Sequence, residues 1–331
     1  MTYLNGNMQK ERHFLDETDL KIISILSKDC RASFMSIGNA VGMTSKSVKA
    51  RVDAMISTGV IEKFVVKVDP ASLGYGMSCM LIVREHTSHT DEIVSRLNLL
   101  GDVSIHSKCM GGISTFCLAV KEGHEDKLEL LRDSLKPASI RFMFTSPSSH
   151  QSDTSELSEI DLQIINCLLA NPRMDMNEIA KKISISPRTV NRRLAKLKDS
   201  NVLKFFILCN PVSTLGYFQF ALVINTIDKS FNSQIIERIY GSLKENILCQ
   251  PPIIDPDNII TLLLFSRDFF TADGILKEVE SITGVNRVEL FVLTDTTSYD
   301  GWMAKEVRKR LDQKKLARQK LQPEQVLELV S

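Results

Sequence analysis

The densest chemistry in the chain is the run Pro187-Arg188-Thr189-Val190-Asn191-Arg192-Arg193-Leu194-Ala195-Lys196-Leu197. Read as a helix at about 100° per residue, it places Val190, Leu194 and Leu197 on one side, packed inward. Arg188, Arg192 and Ala195 then point directly outward, flanked by Thr189, Asn191 and Lys196. These residue types suit a double helix. A guanidinium hydrogen-bonds guanine in a bidentate way, and a carboxamide does the same with adenine. Ala195 leaves room for close approach to base edges. The candidate DNA-contacting set is Arg188, Thr189, Asn191, Arg192, Arg193 and Lys196.

A second run, Ser45 to Ser57, has the same plan with weaker chemistry. Val48, Val52 and Met55 would face inward, leaving Lys46, Ala50 and Asp53 outward with Ser47 and Lys49 alongside. Its candidate contacts are Ser45, Lys46, Ser47, Lys49 and Arg51. Asp53 repels phosphate, although its carboxylate can accept a hydrogen bond from cytosine. The Pro187 run is therefore expected to dominate affinity. Either basic helix alone is as readily a solvated face. Each, however, follows a short turn after another helix, the geometry that seats a recognition helix in the major groove.

The two runs are copies of one plan. Shifted by about 142 positions, Leu15-Asp16-Glu17-Thr18-Asp19-Leu20-Lys21-Ile22-Ile23 falls on Leu157-Ser158-Glu159-Ile160-Asp161-Leu162-Gln163-Ile164-Ile165. Arg31 then meets Arg173, Ile37 meets Ile179, Arg51 meets Arg193, and Leu73-Gly74-Tyr75 meets Leu215-Gly216-Tyr217. A period this long holds whole domains.

Each copy reads as helices first and a mixed layer after. In the first, helices are expected over Asp16–Ser27, Ser33–Val41 and Ser45–Ser57, with Thr44 as an N-cap and Gly59 as a terminator. A β-branched strand follows over Ile61–Val68. The second copy repeats this from Ser158, with Pro187 as a first helical residue and a strand over Leu203–Leu208. Strand, helix, strand, strand, helix, strand comes next. In copy one these are Met77–Arg84, Thr90–Leu100, Val103–Cys109, Ser114–Val120, Glu125–Leu135 and Ser139–Thr145. In copy two they are Phe218–Asn225, Ser233–Leu243, Ile247–Gln250, Ile259–Ser266, Thr271–Ile282 and Val285–Leu293. That order is the ferredoxin-like βαββαβ plan.

Charge and cysteine usage narrow the partners. Positions 157–210 carry nine basic side chains against five acidic, and 217–298 carry six against eleven, so basic and acidic modules alternate. The seven cysteines are scattered and form no Cys-x-x-Cys pair. That argues for a reducing compartment and against a disulfide framework or zinc site. No window approaches the roughly eighteen apolar residues of a membrane span, and the polar N-terminus is unlike a signal peptide. A soluble cytoplasmic protein is expected. No nucleotide loop, metal-ligand spacing or nucleophile triad is present, so neither catalytic residue, metal nor cofactor is expected.

The chain resembles the Lrp/AsnC (leucine-responsive, feast/famine) transcription regulators. The residues that carry the likeness are Leu15-Asp16-x-x-Asp19-x-x-Ile22-Ile23, Ile37-x-x-x-Val41-Gly42-Met43-Thr44-x-x-x-Val48-x-x-Arg51-Val52, Gly59-Val60-Ile61 and Val68-Asp69-Pro70-x-x-Leu73-Gly74-Tyr75. Copy two matches through Ile179 to Val202 and Asn210-Pro211 to Leu215-Gly216-Tyr217. The resemblance implies an α+β fold in two repeats, each a winged helix-turn-helix domain followed by a ferredoxin-like domain for effector binding and oligomerisation. The strand after Gly59 or Asn201 would form part of a wing. The expected boundaries are an N-terminal extension over 1–13, winged domains over 14–70 and 157–211, and α+β domains over 71–145 and 212–299. A Ser-rich linker covers 146–156, and a basic helix covers 300–331 with Met303, Val307 and Leu311 as a narrow apolar stripe. That helix extends the DNA footprint or is simply solvated.

Two α+β modules in one chain imply a pseudo-dimer presenting two non-identical readers, with homodimerisation left open. The family's effector pattern, an Asp shortly after a Gly in the turn between the middle strands, is incomplete in both copies. Its nearest counterparts are Gly111, Gly112 and Ser114 in one and Asp255 and Asp257 in the other. An alternative is an enzyme, since sirohaem decarboxylases resemble fused or paired units of this type. His106 is the one histidine on an expected inner strand. A non-DNA-binding interaction scaffold is the other alternative.

Overall fold

The computed structural model describes residues 13–84, 90–124, 127, 139–142, 146–147, 157–243, 246–248, 253–255 and 258–328. The first repeat contains β1 (His13–Phe14), α1 (Glu17–Lys28), α2 (Phe34–Val41), α3 (Ser45–Ser57), β2 (Ile61–Val68), β3 (Tyr75–Arg84), α4 (Thr90–Leu97), β4 (Gly101–Cys109), β5 (Ile113–Lys121), β6 (Ser139–Phe142) and β7 (Ser146–Pro147). The second contains α5 (Glu159–Ala170), α6 (Met176–Ile183), α7 (Pro187–Asp199), β8 (Leu203–Cys209), β9 (Thr214–Leu215), β10 (Phe218–Thr226), α8 (Asn232–Ser242), β11 (Ile253–Asp255), β12 (Ile259–Ser266), α9 (Phe269–Glu280), β13 (Val285–Ser298) and α10 (Gly301–Glu328).

Short polar side chains set the helix limits. Asp16 and Asp19 form a reciprocal capping box at α1, and Ser158 and Asp161 form its counterpart at α5. Thr44 caps α3 and Ser186 caps α7, where Pro187 supplies the fixed φ of a first turn. Gly42 ends α2 in the left-handed region at φ 71°; Ser184 does the same for α6 at φ 56°.

The strand after each third helix does not fold back on its own unit. β2 pairs antiparallel with β8, its counterpart, in a two-stranded ribbon where Phe64 faces Ile207 and Val65 faces Phe206. A pseudo-two-fold axis runs between those two pairs. The helical units consequently share one core, in which Ile22, Val52, Leu162 and Leu194 belong to a single buried cluster.

Below them lies a nine-stranded sheet of order β11-β12-β10-β13-β4-β5-β3-β6, with β7 beside β3. β13 runs five residues past its expected end at Leu293, and the extension matches Asp295 to Lys108, Thr296 to Ser107 and Thr297 to His106 on β4. Threonines at 294, 296 and 297 favour an extended backbone there. The Thr296 and Ser107 hydroxyls meet at 3.3 Å across the seam. Of the strand expected over Ile247–Gln250, Ile247 makes an isolated bridge to Leu264 and Cys249 and Gln250 lie outside the described residues; a short strand forms at Ile253–Asp255. The helix expected over Glu125–Leu135 lies almost wholly outside the described residues. Of the expected linker, Ser146–Pro147 pairs with β3, and the rest up to residue 156 is outside them.

The apolar stripe of α10 does dock. Met303, Val307 and Leu311 are buried in the helical core, where α10 packs on α5. Trp302 lies 4.9 Å from Tyr75 between ring centroids, and Lys63 on β2 pairs with Asp300 at 2.9 Å. Among the described residues no helix is long and apolar enough to cross a membrane.

Candidate nucleic-acid interface

On α7 the inward stripe is Val190, Leu194 and Leu197, all buried. Their packing fixes the rotation of the helix. Arg188, Asn191, Arg192, Ala195 and Lys196 are exposed as a result. No side chain of Arg188, Asn191, Arg192 or Lys196 is hydrogen-bonded or ion-paired to another described residue. Thr189 is half-buried and works at the cap, its hydroxyl 2.9 Å from that of Ser186. The outer face of α7 is a row of donors held on a rigid helix.

The matching face of α3 is poorer. Val48, Val52 and Met55 are buried, and Ser45, Lys46 and Lys49 are exposed. Lys49 is drawn to Asp53 one turn on, at 2.5 Å. Ser47 is half-buried against the Thr44 cap, with the two hydroxyls 2.8 Å apart. This face therefore offers little net positive charge.

Arg51 and Arg193 turn away from the outer faces. Arg51 Nη1 bonds Asp16 at 2.7 Å and Asp19 at 2.9 Å; Arg193 Nη1 bonds Ser158 and Asp161, each at 2.9 Å. Each guanidinium ties a third helix to the capping box of its first helix. Partial burial opposes ionisation of Asp16, but the Asp19 amide and Arg51 outweigh it and hold the carboxyl below its usual range. A sequence reading groups both arginines with the outer set because they sit at the margin of the helix face.

Between the units, Arg31 donates to the Pro172 and Met174 carbonyls at 2.5 and 2.8 Å. Arg173 returns the contact to the Cys30 and Ala32 carbonyls. Burial, partly relieved by Asp29, lowers the pKa of Arg31, and burial likewise lowers that of Arg173. Arg173 also lies over the rings of Phe34 and Phe64. These two arginines are the functional residues that sequence reasoning leaves unassigned, though their coincidence across the repeat is the available signal.

The effector candidates are dispersed. Gly111 and Gly112, at φ 81° and 71°, make the tight turn between β4 and β5. Ser114 is buried with its hydroxyl 3.2 Å from His106 Nε2. Asp255 ends the edge strand β11, and Asp257 lies outside the described residues. His106 is buried and stacked on Phe116 at 4.5 Å; burial, then Lys108, pushes its pKa down to about 4.

Family models match both helical units: an AsnC-type helix-turn-helix domain over residues 15–56 and a winged helix-turn-helix DNA-binding domain over 157–204. The regulator Ptr1 of Methanocaldococcus jannaschii is 28% identical over 123 residues, covering 37% of this chain and 83% of Ptr1. The regulator FL11 of Pyrococcus horikoshii is 35% identical over 83 residues, covering 25% of this chain and 55% of FL11. Among solved structures, the siroheme decarboxylase NirDL superposes with a TM-score of 0.50 at 16% identity, covering 90% of this chain and all of NirDL. That likeness speaks to the tandem fold alone. An AsnC-type helix-turn-helix domain thus heads the first repeat and a winged helix-turn-helix DNA-binding domain the second, and the relatives they resemble are HTH-type transcriptional regulators.

Proposed function

We propose that the chain is a sequence-specific DNA-binding transcription regulator acting in the cytoplasm by binding and not by catalysis. α7 is its principal reader: Arg188, Asn191 and Arg192 address base edges, while Lys196 addresses phosphate. Lys46, Ser45 and Lys49 of α3 make the weaker contacts, and Arg51 and Arg193 act behind the two helices by fixing their angle. The observation that carries this reading is the exposed, internally unpaired row on α7, borne on a helix whose rotation the buried Val190, Leu194 and Leu197 set.

In this reading the α+β modules pair within one chain and hold two unequal readers in a fixed relation. The β2–β8 ribbon and the β4–β13 ladder support it. The operator is then asymmetric, with a strong and a weak half. Footprinting on the protein's own upstream region tests this. Unequal protection of two half-sites is expected, and a perfectly symmetric palindrome protected equally would contradict the intramolecular arrangement.

A further inference from the structure

We propose that Ala50 and Ala195 are specificity-determining residues, each seating the 5-methyl group of a thymine, at places one helical turn out of step between the two readers. The proposal rests on the DNA-reading role of α3 and α7. The repeat that sets Arg51 on Arg193 also sets Val48, Val52 and Met55 on Val190, Leu194 and Leu197, and all of these apolar side chains are buried. The two helices are therefore rotated alike in their units, and their outer faces compare position by position. Along its outward line α7 carries Arg188, Arg192, Ala195 and Asp199, every one exposed. On α3 the same line carries Lys46, Ala50 and Asp53, also exposed. Both lines run cation, alanine, aspartate. The α3 line is a turn shorter, so Ala50 stands where α7 has Arg192, and Asp53 stands where it has Ala195.

The order decides what each position meets. An aspartate repels phosphate, and Asp53 also holds Lys49 at 2.5 Å, so the acid marks where the reading stretch ends. The cations before it reach guanine or phosphate. The alanine between them has neither donor nor acceptor, and a base edge of polar groups left facing it goes unpaired at a cost. Thymine is the base with an apolar group in the major groove, and alanine is among the side chains that meet it. Alanine suits any helix surface. On these lines, however, it is the shortest side chain and is flanked by a cation and an acid, so the helix backbone comes nearest the bases there. The offset of three residues is a rise of about 4.5 Å, against about 3.4 Å per base step. The two thymines therefore lie at distances from the operator centre that differ by about one base pair.

Anisotropy titration of the full chain against its own upstream fragment, with each thymine of the protected halves replaced singly by deoxyuridine, tests this. The replacement removes the methyl group and nothing else. One sensitive thymine is expected in each half, its replacement weakening binding by about fourfold. Serine is close to alanine in size and tolerated in a helix, but it sets a hydroxyl against the methyl. Ala195→Ser should therefore abolish the thymine preference in the strong half and keep it in the weak half, and Ala50→Ser should do the reverse. Binding of the unmodified fragment with no sensitive thymine, preferences that survive both substitutions, or sensitive thymines equidistant from the centre would overturn this proposal and leave DNA reading standing. An unmodified fragment that does not bind would overturn both.

Discussion

Arg31 and Arg173 hold equivalent positions in their repeats and grip each other's repeat by the same bonds. Arg31 reaches the Pro172 and Met174 carbonyls, and Arg173 reaches those of Cys30 and Ala32. The exchange obeys the same pseudo-two-fold axis as the β2–β8 ribbon. Bonds from a charged donor to half-buried carbonyls are among the stronger ones. The spacing of the two reading helices is thus built into the helical pair itself.

Breaking that exchange should cost stability. Arg173→Ala is expected to destabilise the chain by about 2 kcal/mol, because two carbonyls lose a charged partner together. Urea unfolding measures it, with Arg31→Ala giving a similar loss. A value near zero for both would mean that the ribbon alone holds the pair.

Arg188→Ala and Arg192→Ala should act on DNA and leave stability alone. Each is expected to cost about 1–3 kcal/mol of specific binding and to relax base preference at one position. Unchanged thermal unfolding is expected, since both side chains are exposed and neither forms a hydrogen bond or ion pair with another described residue. A matching loss on scrambled DNA would assign them to phosphate.

Asp53→Ala should strengthen the weaker reader. It removes a negative charge from the outer face of α3 and releases Lys49 from its ion pair. The salt dependence of DNA binding is expected to steepen by about one ion. No change in slope would place α3 away from the backbone.

Acid should weaken the fold through His106. Its folded pKa is depressed from 6.5 to about 4 by burial, so the unfolded chain takes up a proton that the native state refuses. The stability tied to neutral His106 is complete above pH 6.5 and is lost as pH falls toward 4. His106→Gln should flatten that limb in pH-dependent unfolding, whereas an unaltered limb would trace it to carboxylates.

Much of this architecture was legible in the chain. The repeat, the Thr44 cap, Pro187 as a first helical residue and the inward stripes of α3 and α7 are local patterns, and they appear where expected. The partner of β2 was not legible, because register between strands so far apart in sequence depends on the assembled units. Arg51 and Arg193 were misplaced for a related reason. A guanidinium at the edge of a helix face reaches phosphate or a capping carboxylate equally well, and only the neighbouring helix decides. The run of β13 past Leu293 depended on β4 of the other repeat being there to pair with it.

The central claim is that α7 reads DNA. Fluorescence-anisotropy titration of the purified chain against its own upstream fragment and a scrambled control, over a salt series, tests it most directly. Tighter binding to the native fragment, falling steeply as salt rises and lost on joint substitution of Arg188 and Arg192 by alanine, is the predicted result. No binding to either fragment at low salt would contradict it.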